Sequence, residues 1–163
     1  MVTTNSRRRR PARKAGPPQI ELRVAARNAA HAARVIRAAA REFALPDEWI
    51  SMSLVGDKEI SRLNLDWRGR GSPTDVLSWS PGEIVISLDT ARRQAREGGW
   101  TLALELRRLL AHGILHCRGY DHDAAARMAA AERRMLGRDG MVGESLSERE
   151  GKQVGRRRRP KSI

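Results

Sequence analysis

Apolar and polar positions change period several times along the chain, and each change marks an element. Residues 19–24 (QIELRV) and 50–55 (ISMSLV) alternate with period two, which predicts two strands. Between them, residues 25–43 are rich in Ala and Arg, with Val35, Ile36, Ala39, Ala40 and Phe43 at helical spacing; Pro46 closes that helix. Asp57 is placed to cap a second helix whose inner face carries Ile60 and Leu63. Residues 67–73 (WRGRGSP) read as a Gly/Pro-rich loop. Two short strands follow, 74–79 and 83–88, with Ser80-Pro81-Gly82 as a tight hairpin. Asp89 is expected to cap a third helix ending at Gly98-Gly99. Thr101 is expected to cap a fourth, running through Leu102, Leu106, Leu109, Leu110 and Leu115 to about Cys117, where Gly119 breaks it. Asp123 opens a last Ala-rich helix with Met128, Met135 and Leu136, stopped by Gly137. The order βαβαββααα predicts one α+β domain, an α/β-type mixture with a small mixed four-stranded sheet and about five helices.

Composition narrows the class. The chain has 163 residues, enough to bury a core without cross-links, and its one cysteine cannot form an intrachain disulfide. No apolar run approaches the roughly 20 residues of a membrane span, and no apolar segment follows the basic N-terminus, so a soluble, cytoplasmic protein without a secretory signal is expected.

The net charge of +13 sits at the ends. Residues 1–17 hold Arg7, Arg8, Arg9, Arg10, Arg13 and Lys14; residues 151–163 hold Lys152, Arg156, Arg157, Arg158, Arg159 and Lys161; neither stretch has an acid. Residues 18–150 are left nearly neutral, 20 basic against 19 acidic. Like-charged runs with Pro11, Pro17, Pro18 and Pro160 predict disordered tails over 1–17 and 140–163 around a folded domain over 18–139. The functional reading is attachment to a polyanion, RNA or a ribosome surface. The bland reading is compositional bias, since Arg outnumbers Lys 28 to 4; that bias does not require two RRRR runs. An organelle transit peptide is a further reading, but it leaves the matching C-terminal run unexplained.

The chemistry concentrates in three of the four histidines, His112, His116 and His122. His112 and His116 are four apart on the fourth helix, so their imidazoles share one face one turn apart. Gly119 lets the chain turn so that His122 can return to the same point. Three neutral imidazoles with one open position describe a catalytic zinc site on a central helix. Cys117 belongs to another helix face and reads as packing; His31 reads as an ordinary helix residue. The spacing H-x-x-x-H-x-x-G-x-x-H matches the zinc helix of one group of metalloproteases. In those, the residue after the first His is the Glu that serves as general base; here it is Gly113.

The run His112-Gly113-Ile114-Leu115-His116-Cys117-Arg118-Gly119-Tyr120-Asp121-His122 resembles the H-G-x-L-H-x-x-G-Y-D-H signature of the YbeY endoribonucleases. Two more stretches resemble the family in order and spacing: Asn64 to Gly69 with Pro73 to Trp79 (Trp79 replacing the usual Phe), and Gly82 to Ser87. The resemblance covers about residues 19–137. The segment between Ser78 and Gly82 is shorter than the family's acidic loop, and the basic tails lie outside its pattern.

That resemblance implies a zinc-dependent, single-strand-specific endoribonuclease acting in 16S rRNA 3′-end maturation and ribosome quality control. Its implied partners are ribosomal RNA and the ribosome or its small subunit; no membrane or DNA partner is called for. It implies one zinc ion on His112, His116 and His122, and Arg68 as the catalytic arginine facing the metal cleft. A guanidinium beside a metal suits a phosphate bridged between them; Arg70 is the competing choice. Asp121 can orient an imidazole or cap the turn, and Tyr120 can pack or donate to substrate. Asn64, Thr74 and Asp75 read as residues that shape the Arg68 segment. The nucleophile, water or the RNA 2′-hydroxyl, stays open, and with one Phe and one Tyr a stacking platform for bases is thinly supplied. The rival readings are another zinc hydrolase such as a peptidase, which Gly113 disfavours, and a non-catalytic ribosome assembly factor.

Overall fold

The computed structural model describes residues 15–120 and 125–137. The elements are β1 (Gln19–Val24), α1 (Ala30–Phe43), β2 (Trp49–Val55), α2 (Asp57–Arg68), β3 (Val76–Trp79), β4 (Glu83–Ser87), α3 (Leu88–Gly98), α4 (Leu102–Cys117) and α5 (Ala125–Leu136). The order is that expected from the sequence, and the sheet is mixed. Its strands lie β1-β2-β4-β3, with β1, β2 and β4 parallel and β3 antiparallel to β4 at the edge.

The period-two pattern sends alternate side chains to opposite faces. Ile50, Met52, Leu54, Ile84 and Ile86 enter the main core with α1 and α4. Val55 and Leu77, with Val85 and Trp79, form a smaller core with Ile60 and Leu63 of α2. Helix α4 is central. It packs against α1, α3, α5, β3 and β4, and Leu106, Leu109, Leu110, Ala111 and Ile114 are all buried. A helix enclosed on several sides is apolar nearly all round rather than along one stripe.

At Gly113, α4 lies close against the sheet. A Cβ there would stand 2.9 Å from Ile84 Cγ2 on β4. The side chain missing at 113 therefore makes room for the strand, and the position faces the sheet.

Three sequence expectations need correction. Helix α1 begins at Ala30, not Ala25, because the Ala25 and Ala26 amides still donate to Leu54 O (2.9 and 3.0 Å) and Asn28 turns the chain at φ 51°. Neither aspartate caps its own helix: Asp89 Oδ2 accepts from the Asp57 amide (3.0 Å), while the α3 cap is Ser87, whose Oγ accepts from the Thr90 amide (3.2 Å). Asp57 in turn accepts from Ser87 Oγ (2.6 Å), Thr90 Oγ1 (2.8 Å) and Arg93 Nη1 (2.6 Å), so each aspartate serves the other's helix. Finally, α2 extends through Trp67 and Arg68, which the sequence reading placed in a loop. The Thr101 cap on α4 is present, accepting from the Leu104 amide at 3.2 Å. The tails, Asp123 and the segment from 140 onward lie outside the described residues.

Candidate metal centre

His112 and His116 project from the last two turns of α4, and their Nε2 atoms stand 3.0 Å apart with the rings at 81°. Each ring is fixed from behind. His112 Nδ1 is 2.7 Å from Glu132 Oε1, and both residues are 2% exposed. His116 Nδ1 is 2.8 Å from the backbone carbonyl of Tyr120. A carbonyl only accepts, so His116 carries its proton on Nδ1; the Glu132 carboxylate selects the same tautomer at His112. Both Nε2 atoms then present lone pairs to a shared point. Two nitrogens on a tetrahedral zinc at 2.0–2.1 Å stand about 3.3 Å apart, close to the separation here. The donor set fits a divalent cation.

The local sequence explains the His116 geometry. Helix α4 ends in a Schellman turn: the Gly119 amide donates to His116 O (2.9 Å) and the Tyr120 amide to Leu115 O (3.0 Å). Gly119 takes φ 85°, a conformation costly for a residue with a Cβ. The Tyr120 side chain packs with Leu115, Met128 and Ala131, the apolar contact typical of this turn. Its carbonyl is thereby aimed back at His116. Arg118 pins the same turn to the α1–β2 connection, donating to both Glu48 carboxylate oxygens (2.9 and 2.8 Å) and to Phe43 O (2.8 Å).

Cys117 packs, as read from the sequence. Its Sγ donates to Trp79 O at 3.4 Å, and burial, helped by the Glu48 charge, pushes its thiol up to about 11. His31 is exposed on α1. Glu132 was not anticipated. Its signal was nonetheless present: it falls four residues after Met128, on the stripe that also holds Leu136, where a carboxylate is out of place unless it has a buried partner.

Arg68 ends α2 and is exposed; among the described residues its side chain makes no hydrogen bond or ion pair, and none joins it to either histidine. The segment after it is held firmly. Buried Asn64 donates to Ser72 O (2.9 Å), and Asp75 accepts from the Val76 amide (2.8 Å) and from Gln94 Nε2 (2.9 Å). Trp67, next to Arg68, meets Trp79 with ring centroids 5.7 Å apart. Arg70 is exposed as well. Asp121, His122, Arg7, Arg8, Arg9, Arg10, Arg156, Arg157, Arg158 and Arg159 lie outside the described residues. Among the described residues no third His, Cys, Asp or Glu joins the pair as a three-ligand cluster.

The paired histidines on the central helix of an α+β domain define a candidate metal centre. The family model for Endoribonuclease YbeY matches residues 19–140, and the chain belongs to that family. Similar curated relatives are each named Endoribonuclease YbeY. One from Myxococcus xanthus is 49% identical over 113 residues, covering 60% of this chain and 38% of the relative. One from Anaeromyxobacter sp. is 46% identical, covering 63% of this chain and 60% of the relative. One from Anaeromyxobacter dehalogenans is 44% identical over 147 residues, covering 82% of this chain and 73% of the relative. The chain thus spans less than two thirds of the first two relatives. A solution structure from Thermotoga maritima shares the fold at TM-score 0.58 and 22% identity, covering 89% of this chain and 99% of that one.

Proposed function

We propose that this protein is a zinc-dependent endoribonuclease that cuts single-stranded RNA in the cytoplasm, acting on ribosomal RNA in 16S 3′-end maturation and in ribosome quality control. The observation that carries the reading is the convergence of His112 and His116 Nε2 at 3.0 Å, with both Nδ1 atoms held by acceptors. Family membership supports the substrate class. No helix among the described residues is long and apolar enough to cross a membrane.

His112 and His116 hold the ion, with His122 as the third ligand by its place in the motif. When bound, zinc supplies Lewis acidity beside the scissile phosphate. The chain's own residues supply the rest. Glu132 and the Tyr120 carbonyl keep both imidazoles oriented and neutral at Nε2. Arg68 offers planar donors to a phosphate oxygen and stabilises the charge that builds on it. Gly113 counts against a peptidase, because position 113 faces Ile84 and offers no base.

The test is metal content by mass spectrometry on wild type and His112→Ala, followed by RNA cleavage with Arg68→Ala. Near one-to-one zinc in wild type, lost in the variant, supports the centre. Cleavage lost in a normally folded Arg68→Ala supports the enzyme. Metal-free wild type with intact ribosome assembly in Arg68→Ala cells would instead favour the assembly factor.

A further inference from the structure

Trp67 is the most exposed large apolar side chain among the described residues, at 67%. Tryptophan is highly buried on average, so such a ring asks for a partner. It is not loose on the surface. It is fixed on the last turn of α2 and braced by Trp79 at 5.7 Å and 59°. Trp79 packs against the smaller core and belongs to edge strand β3, so the brace is anchored in the fold. The Trp79 carbonyl receives the thiol of Cys117, the residue after His116. The aromatic pair therefore stands at the sheet edge that α4 packs against with its metal-binding end.

The surroundings of the ring are cationic. Arg68 and Arg70 are exposed on its C-terminal side and Arg62 is exposed one and a half turns before it; Asp66 is the one acid among residues 62–70. An exposed indole with exposed arginines before and after it in the chain, beside one exposed leucine, Leu65, suits a base with its phosphates. Tryptophan, rather than Phe or Tyr, supplies the exposed aromatic surface here.

Resting on the nuclease reading above, we propose that Trp67, braced by Trp79, is a positioning residue that stacks one nucleobase of the single-stranded RNA held at the histidine centre, with Arg68 and Arg70 on the adjoining phosphates. Stacking is indifferent to base identity, so the platform selects unpaired strands without reading sequence.

The experiment is equilibrium binding of a labelled 2′-O-methyl oligoadenylate of about 12 nucleotides, in moderately high salt, to wild type, Trp67→Ala and Trp67→Phe, beside cleavage of unmodified RNA. Trp67→Ala should bind about 5- to 150-fold more weakly, with the rise in KM exceeding the fall in kcat, while Trp67→Phe stays near wild type. The slope of log affinity against log salt should not change, because the ring carries no charge. On an abasic strand the wild type and Trp67→Ala should bind alike. Equal binding of the base-bearing strand by wild type and Trp67→Ala, with RNA still cut, overturns the platform and leaves the nuclease reading intact; so does an equal loss on abasic and base-bearing strands. A wild type that cuts no RNA, with the Trp67→Ala binding loss still present, removes the nuclease reading and keeps the platform. A wild type that binds no oligonucleotide overturns the platform.

Discussion

Glu132 Oε1 lies 2.7 Å from His112 Nδ1, the two side chains coming from different helices and both almost wholly enclosed. The contact makes α5 part of the candidate metal centre, since it sets which nitrogen of His112 carries the proton. Groups that hold a metal-binding imidazole in this way are typically worth about 10- to 100-fold in metal affinity. Glu132→Ala should lose zinc affinity in that range in a competition titration against a chromophoric chelator. It also leaves a buried N–H without its acceptor, costing about 1–3 kcal/mol of stability. Glu132→Gln keeps an acceptor oxygen and should lose less of both. Unchanged zinc affinity in Glu132→Ala would mean that the carboxylate is merely accommodated.

The Gly113–Ile84 contact makes a prediction of sign. Gly113→Ala gains about 1 kcal/mol of helix propensity but drives a methyl to 2.9 Å from Ile84 Cγ2, and overpacking of this kind costs about 1–3 kcal/mol. The single variant should be neutral or destabilised in urea unfolding. In an Ile84→Ala background the obstructing methyl is gone, and Gly113→Ala should become stabilising. Gly113→Glu, which restores the metalloprotease pattern, should destabilise more and gain no peptidase activity.

The Asp57 contacts between α2 and α3 respond to pH. Burial raises the Asp57 carboxyl, but hydrogen bonds from Arg93, Ser87 and Thr90 and the Arg93 charge outweigh it and hold the group below the usual carboxylate range. A depressed folded value contributes stability above the unfolded value of about 3.9 and loses it as pH falls through the folded one. Asp57→Asn should therefore be less stable than wild type at neutral pH, with the difference shrinking below about pH 4. Glu42, held low by Arg107, and Glu48, held low by Arg118 against its burial, are common to both proteins and cancel in the comparison. Asp89→Ala removes the acceptor for the first amide of α2 and should cost about 1 kcal/mol.

These contacts show where sequence reading stops. The alternation in QIELRV and ISMSLV was sufficient for β1 and β2, because burial of one face imposes period two on the residues themselves. His112 and His116 were legible because helix geometry alone brings i and i+4 together. Capping was misjudged at Asp57 and Asp89 because Asp89 accepts the first amide of α2 across space while Asp57 accepts from α3 side chains, and local spacing does not say which of two neighbouring helices an aspartate serves. Trp67 and Arg68 were given to the loop because Gly69, Gly71 and Pro73 drew the boundary too early, while α2 ends on the left-handed Gly69 itself. Glu132 and the Trp67–Trp79 brace depend on which helix meets which strand, information held by the fold.

Arg68 separates the enzyme from its rivals. It is exposed at a helix end, so Arg68→Ala should melt like wild type and keep its zinc. Loss of one donor that stabilises developing charge typically costs about 10²- to 10³-fold in kcat, and that is the loss expected in single-turnover RNA cleavage. Arg70→Ala should lose only a few-fold, by weaker phosphate attraction. If both variants cut RNA as well as wild type, the charge stabilisation assigned to Arg68 is wrong.

The terminal runs make the last prediction, and it is separable from all the others. Residues 1–17 and 151–163 together hold twelve of the 32 basic residues and no acid. If about five of those charges meet RNA phosphates, each releases counterions worth a slope near −0.7 for a single strand, so log affinity should fall with log salt at about −3.5 from the tails. Removing both segments should flatten the slope by that amount and slow association at low salt, where long-range attraction is least screened. The deletion should leave zinc content and the Trp67→Ala effect untouched, because the histidine pair and the aromatic brace both lie within residues 67–116. A salt slope unchanged by the deletion would show that the two arginine runs do not engage the RNA, and would return them to compositional bias.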